Sequence, residues 1–242
     1  AFHRTLPGYQ PTPLVALPDL AKELGVKGVY IKDESKRFGL NAFKALGASY
    51  AIHKLFPDGN VGLTVTATDG NHGKGMAWST HRLGGHAVVF MPAGTVDSRV
   101  EAIRAIGDTE VTVTDLNYDG TVATAAAYAK EHGGHLVQDT AFAGYEEVPQ
   151  NITLGYSTMA AEALEALAAL GAGEPTHTFL QAGVGSMAGG VAAYLAETCK
   201  NPPAMAVVEA WESACVLESI RQGKLVTIEG HTQTSMAGLN CG

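Results

Sequence analysis

From residue 61 onward, short runs of β-branched and apolar residues alternate with longer runs whose apolar positions recur three and four apart. Val61 to Ala67 and His86 to Met91 read as strands, the second with Ala87-Val88-Val89-Phe90 at its centre. Asn71 to Leu83 between them is helical, and Asp97 opens a further helix with Val100, Ile103 and Ile106 at helical spacing. Glu110 to Thr114 is a strand, Asp119 caps an alanine-rich helix, and His135 to Gln138 is another strand. Strands that are apolar almost throughout, alternating with helices, predict a parallel sheet with helices on its faces.

A second run of the same kind follows the loop from Asp139 to Gln150. A long helix is predicted over Asn151 to Leu170 and is broken by Gly171-Ala172-Gly173-Glu174-Pro175. Strand Thr176 to Gln181, a small-residue helix to Thr198, strand Ala204 to Glu209, helix Glu212 to Gln222 and a short strand Leu225 to Ile228 complete it. His231 to Gly242 is rich in Gly, Ser and Thr and has no period. The chain therefore reads as two parallel α/β units joined near residue 155. Ahead of them, Pro7-Gly8-Tyr9 and Pro11-Thr12-Pro13-Leu14 predict an extended lead-in, Asp19 to Leu24 a short helix and Gly28 to Lys32 a strand. A polar run, Lys32 to Arg37, then precedes a helix that begins around Asn41-Ala42-Phe43-Lys44 and stops at Pro57-Asp58-Gly59-Asn60.

The composition narrows the function classes. A length of 242 residues, 46% hydrophobic and 17% charged, describes a compact globular protein that buries a sizeable core. A formal net charge of −8 without a Lys/Arg cluster argues against nucleic acid as a partner. No apolar run is long enough to span a bilayer, and the start of the chain lacks a signal-peptide pattern. Cys199, Cys215 and Cys241 have no metal-ligand spacing, so reduced thiols in a cytoplasmic setting are the expectation; Cys215 and Cys241 pair only if the fold brings them together.

Lys44 stands among Ala42, Phe43, Ala45, Leu46 and Ala48, on a helix whose sides read as mostly buried. A lysine in such a place commonly snorkels and keeps its charge in water. Buried, its amine falls from a pKa of about 10.4 toward neutrality and becomes able to attack a carbonyl and form an imine. Ligands of parallel sheets gather at the carboxyl ends of the strands, and three polar loops fall there. Thr68-Asp69-Gly70-Asn71-His72-Gly73 is either a plain capped turn or a place where Gly70 and Gly73 let Asn71 approach a ligand, with Asp69 facing the cleft. Gly183-Val184-Gly185-Ser186-Met187 opens a helix and suits a phosphate. Its Gly-x-Gly-x-x-x-Gly spacing departs from the dinucleotide fingerprint, although Glu209 could imitate the ribose-binding acid of that fold. In the third loop, Gln138-Asp139-Thr140, a strand closes on a carboxylate. An imine-capable lysine together with a phosphate cradle points to pyridoxal 5′-phosphate, an electron sink for a carbanion at a substrate's Cα, with Asn71 on the ring hydroxyl.

These motifs resemble a known family. Lys32-Asp33-Glu34-Ser35, Gly39-Leu40-Asn41-Ala42-Phe43-Lys44-Ala45-Leu46-Gly47, Thr66-Ala67-Thr68-Asp69-Gly70-Asn71-His72-Gly73, Val137-Gln138-Asp139-Thr140-Ala141, Gly144-Tyr145, Gln181-Ala182-Gly183-Val184-Gly185 and Met236-Ala237-Gly238-Leu239 are similar, in order, to those of diaminopropionate ammonia-lyases. The family belongs to fold type II of the pyridoxal-phosphate enzymes, with threonine dehydratase and threonine synthase; related dehydratases usually carry a serine at the position of Asp69. The resemblance implies two parallel-sheet α/β domains with the cofactor in the cleft between them: a small domain at 39–155, and a large one built from 1–38 and 156–242. It implies Lys44 as cofactor lysine and base, Asn71 on the ring hydroxyl, and Gly183, Val184, Gly185, Ser186 and Met187 around the phosphate. Asp69 and Asp139 become the active-site carboxylates. The implied activity is elimination of ammonia from either enantiomer of 2,3-diaminopropionate, giving pyruvate and ammonia, in a cytoplasmic homodimer. Two faces of deprotonation call for two bases, Lys44 and Asp69, and the substrate's β-ammonium calls for a carboxylate such as Asp139 or Asp69. Family members are longer, and their C-terminal part completes the large domain and supplies the partner of the pyridine nitrogen. A serine or threonine dehydratase and a truncated relative that binds the cofactor without turnover are the competing readings.

Overall fold

In the computed structural model, which describes residues 2–68, 70–107, 109–228 and 234–239, the first element is a 3-10 turn at Phe2–Thr5. Strand β1 (Leu14–Ala16), helix α1 (Pro18–Leu24) and strand β2 (Tyr30–Lys32) follow, and β1 pairs antiparallel with β2 through Val15↔Ile31. The lead-in predicted as extended is thus part turn and part strand. Next come α2 (Lys44–Leu55), β3 (Leu63–Ala67), α3 (Asn71–Arg82), β4 (His86–Met91), α4 (Asp97–Arg104), β5 (Thr109–Val113), α5 (Tyr118–Glu131) and β6 (His135–Leu136). The remainder is α6 (Glu147–Ala169), β7 (His177–Gln181), α7 (Ser186–Thr198), β8 (Ala204–Val208) and α8 (Cys215–Gln222). The chain divides into two compact units, Ala1–Thr158 and Met159–Gly242.

The first unit is built on a four-stranded sheet in the order β5-β4-β3-β6, all parallel. The chain steps outward from β3 to β5 and then returns to the other side of β3. That reversal puts a topological switch point between β3 and β6, beyond whose carboxyl ends a crevice forms. One face of β3 carries Val65 and Ala67, which pack with Val88, Phe90, Ala125 and Ala129 into an apolar core under α5. The other face carries buried Thr64 and Thr66, whose hydroxyls are satisfied by Thr80 at 2.6 Å and Gln138 at 3.0 Å. In the second unit β7 and β8 pair in parallel, Phe179 opposite Ala206.

The structure departs from the sequence reading locally: the helix predicted from Glu212 is a 3-10 turn at Trp211–Ser213 followed by α8 from Cys215. Helix α5 is capped by Asn117, whose side chain accepts from Gly120 N at 2.9 Å, and Asp119 lies inside its first turn. Helix α6 begins at Glu147, because Pro149 in a first turn gives up no helical hydrogen bond. Residues 225–228 form no strand, and Leu225 is 97% exposed.

The polar run before α2 is not a solvated face. Arg37 is fully buried; its guanidinium donates to both carboxylate oxygens of Glu34, at 2.9 and 2.8 Å, to Thr12 Oγ1 at 3.1 Å and to Gln10 O at 3.3 Å. Thr12 in turn donates to Glu34 at 2.6 Å, and Lys32 donates to Thr12 O at 2.6 Å. Tyr9 and Phe38 flank the guanidinium at 6.0 and 5.9 Å, and Phe38 stacks on Trp78 with centroids 4.2 Å apart. This network fastens residues 9–13 to the turn that delivers Lys44. Glu34→Ala leaves the buried guanidinium without its charge partner and is expected to destabilise the fold by about 3–5 kcal/mol in urea unfolding. The double substitution Glu34→Leu/Arg37→Met is expected to cost less, because it leaves no charge stranded.

Candidate functional site

Lys44 occupies the first position of α2, and the segment before it is wound in unusual backbone: Phe38, Gly39 and Asn41 all have positive φ, at 50°, 75° and 56°. Left-handed residues other than glycine are uncommon and mark places where surrounding structure holds the chain against its preference. Two close approaches fix the start of α2. A Cβ at Gly75 would lie 2.7 Å from Lys44 C and Ala45 N, so α3 runs directly against the lysine's own backbone. A Cβ at Gly155 would meet Leu46 O at 2.5 Å, and one at Gly47 would meet the Tyr156 ring at 2.7 Å, so α2 and α6 cross glycine against glycine. Only glycine permits such approaches.

From this position the Lys44 amine reaches the carboxyl end of β6 and donates to Asp139 Oδ2 at 2.7 Å, with side chains 25% and 11% exposed. The amine expected to be uncharged by burial is thus ion-paired, because the carboxylate compensates its partial desolvation. His72, in the first turn of α3, points Nδ1 at the same oxygen from 3.5 Å and places Nε2 2.8 Å from Val137 O. Burial pushes the Asp139 carboxyl up, but the charges of His72 and Lys44 and the lysine hydrogen bond outweigh it. The net result holds the group well below the usual carboxylate range. Tyr156 approaches from α6; its ring meets Phe43 edge-on with centroids 5.1 Å apart, and its hydroxyl is buried on the side of Lys44. Burial pushes that hydroxyl up to about 12, against the opposing pull of the Lys44 charge.

The strand end that carries Asp139 is stapled in place. Gln138 Oε1 accepts from Ala67 N at 3.1 Å, extending the β3–β6 ladder with a side chain, and Gln138 Nε2 donates to the Tyr118 hydroxyl at 2.7 Å. The Tyr145 hydroxyl accepts from Gln138 N and donates to Leu136 O, both at 2.8 Å. In the loop after β3, Thr68 does the capping: its Oγ1 accepts from Gly70 N at 3.0 Å and Gly73 N at 3.2 Å. A Cβ at Gly73 would collide with Thr68 and lie 3.0 Å from Ile103 Cδ1, so packing alone leaves no room for a side chain there. Asn71 takes the first position of α3 with its side chain exposed. Asp69 lies outside the described residues, as does Cys241, while Cys199 and Cys215 are free thiols.

In the second unit Gly183, Val184 and Gly185 form the turn after β7, and Ser186 and Met187 begin α7. Gly185 caps the helix in left-handed backbone (φ 90°), and a Cβ there would stand 3.2 Å from Val216. The first N–H groups of a helix this long point out of its end and favour an anion. Glu209 is not presented to a ligand: its carboxylate accepts from Val216 N at 2.9 Å and Leu217 N at 2.8 Å and so caps α8. That removes the acid a dinucleotide-binding reading requires. Among the described residues no cluster of acidic, His and Cys side chains is arranged for a metal ion, and no helix is long and apolar enough to cross a membrane.

His72, Tyr156, Gln138 and Tyr145 were not singled out from the sequence for the site they build. His72 stood inside a quoted motif and was open to notice. Tyr156, midway along a long helix, carried no signal at all.

The family described as pyridoxal-phosphate dependent enzyme matches residues 5–242. The diaminopropionate ammonia-lyase of Escherichia coli K12 is 45% identical over 260 aligned positions, covering all of this chain, and the chain spans 65% of that relative's length. A crystal structure of the Escherichia coli diaminopropionate ammonia-lyase in complex with an aminoacrylate–pyridoxal-phosphate azomethine reaction intermediate superposes with a TM-score of 0.86. It is 46% identical, over 95% of this chain and 62% of that one. A biosynthetic L-threonine dehydratase of Haemophilus influenzae is 31% identical over 89% of this chain and 39% of its own length. Since that match takes in both units and both loops at which a lysine and a phosphate site were expected, the chain belongs to the pyridoxal-phosphate dependent enzyme family.

Proposed function

We propose that this chain carries the cofactor lysine, the catalytic carboxylates and the phosphate loop of a lyase that eliminates ammonia from 2,3-diaminopropionate, giving pyruvate and ammonia. The observation that carries the reading is the Lys44–Asp139 pair at 2.7 Å, standing at the β3–β6 switch point. The similarity to the Escherichia coli ammonia-lyase supports the substrate.

Pyridoxal phosphate fits the residues present. A reachable lysine amine stands beside the buried Tyr156 hydroxyl and near one buried polar atom without a hydrogen bond, His72 Nδ1. A left-handed glycine opens the helix that would take an anion. Bound, the cofactor supplies an aldehyde for the lysine and a ring that accepts the electrons freed at Cα. Lys44 would anchor the cofactor and serve as base for the Cα proton of one enantiomer, and Asp69 would serve for the other. Asn71 hydrogen-bonds the ring hydroxyl. Backbone N–H groups of Gly183, Val184, Gly185, Ser186 and Met187 hold the phosphate. Asp139, kept ionised by its cationic neighbours, receives the substrate's β-ammonium and orients the leaving amine.

The proposal extends to a cytoplasmic homodimer, which the free thiols of Cys199 and Cys215 suit on the side of compartment. It also retains a functional division into a small domain at 39–155 and a large one at 1–38 and 156–242, completed by the further length that the relatives possess. A serine or threonine dehydratase is the second reading, favoured by the 31% identity to the threonine dehydratase. Side-by-side turnover separates the two: diaminopropionate is expected to be consumed much faster than serine or threonine. Replacing Lys44 with Ala is expected to abolish the absorption band of the lysine-bound cofactor and to lower kcat by about 10²–10⁴-fold. Asp69→Asn is expected to lower turnover of one diaminopropionate enantiomer by about 10²–10⁴-fold while the other changes only a few-fold, read from pyruvate release with each pure isomer.

A further inference from the structure

Two nitrogens converge on Asp139 Oδ2, Lys44 Nζ at 2.7 Å and His72 Nδ1 at 3.5 Å. The imidazole is only 5% exposed, and its Nε2 lies 2.8 Å from the Val137 carbonyl. A carbonyl oxygen only accepts, so Nε2 carries a hydrogen and the ring orientation is fixed. Nδ1 is left buried without a hydrogen bond, facing a carboxylate. A bare lone pair there would oppose the oxygen's own, whereas a proton on Nδ1 turns the same geometry into an ion pair.

The chemistry makes this second contact matter. To attack a carbonyl or to take a proton from Cα, Lys44 must be an uncharged amine. At that moment Asp139, 8% exposed in this structure, gives up its 2.7 Å pair with the Lys44 ammonium. A carboxylate that deep is costly to keep charged without a counter-charge, and once protonated it no longer attracts a substrate ammonium.

We propose that His72 is a positioning residue for Asp139: it supplies the counter-charge that keeps this carboxylate ionised and oriented whenever Lys44 is uncharged. The proposal rests on the reading of Lys44 and Asp139 given above. Among the described residues, the ionisable groups shown to act on the carboxylate are Lys44 from α2, His72 from α3, Tyr156 from α6 and Tyr145 from the loop after β6. Both tyrosines are held neutral, chiefly by burial, and Tyr145 is further committed to Gln138 N and Leu136 O. Of these four groups, His72 is the one that offers a positive charge once Lys44 has none.

The test is a carboxyl ¹³C titration of the full chain carrying labelled aspartate, with the Asp139 signal assigned by its loss in Asp139→Asn. The titration runs in a Lys44→Ala background, so its outcome does not depend on cofactor attachment. Failure of attachment at Lys44 sinks the enzyme reading and leaves this measurement unaffected. Adding His72→Gln, whose amide can keep the bond to Val137 O while withdrawing the nitrogen that faces Asp139, is expected to raise the Asp139 midpoint by about one pH unit or more. An unmoved midpoint overturns the proposal. If His72→Gln does not fold, His72→Asn takes its place: a neutral amide near the Nδ1 position is expected to raise the midpoint by a smaller amount, and no rise again overturns it.

Discussion

Everything about the first unit converges on one ion pair, between an amine at the start of α2 and a carboxylate at the end of β6. Ninety-five residues of sequence separate the two partners; the chain's reversal sets β6 beside β3, and the close approaches of α3 and α6 hold the start of α2. Parallel strands place their carboxyl ends on one edge, so a loop leaving β3 and a loop leaving β6 must face the same crevice. The pair is worth little as a stabilising contact, since desolvating two charges offsets much of their attraction. In the proposed lyase its importance is chemical: it holds a proton on an amine beside a carboxylate.

Holding that amine in place requires backbone more than side chains. Gly75 lets α3 lie against the peptide bond of Lys44 itself, and Gly155 lets α6 touch the carbonyl of Leu46. With the lysine backbone clasped from two sides, freedom is left to its four methylenes alone. The strained turn at Phe38 and Asn41 is held from the other end by the buried Arg37–Glu34 clamp, whose stacked Phe38 and Trp78 close the apolar side. Such strain persists only where surroundings over-determine it, and here the surroundings are those that deliver the lysine. A turn of ordinary dihedrals and a snorkelling lysine would leave the amine in water, as composition alone would suggest.

Much of this was legible in the order of residues. Strands β3 and β4 announce themselves by β-branched density, and a polar loop after such a strand marks a ligand edge on topological grounds. The lysine, the Thr68–Gly73 loop and the glycine turn at Gly183 were therefore open to reading as a site. What stayed hidden depends on contacts that sequence does not encode locally. Arg37 sits in a polar run with no local sign of burial, and the return of Thr12 and Gln10 gives its guanidinium buried partners. Asp139 has a bland local context, a carboxylate closing a strand, and gains its meaning from a lysine far upstream. Gly75 and Gly155 read as ordinary helical glycines because their need arises from another helix. Glu209 misled in the opposite direction: it ends a strand as a ribose-binding acid would, yet two amides of α8 consume it.

The amine at the start of α2 is expected to bond covalently to the cofactor. Loading the chain with pyridoxal phosphate, reducing it with borohydride and mapping the peptides by mass puts that directly to the test. A pyridoxyl group on the peptide containing Lys44 is the expected result. A label confined to another lysine, or tight cofactor binding with no reducible bond at all, would contradict it.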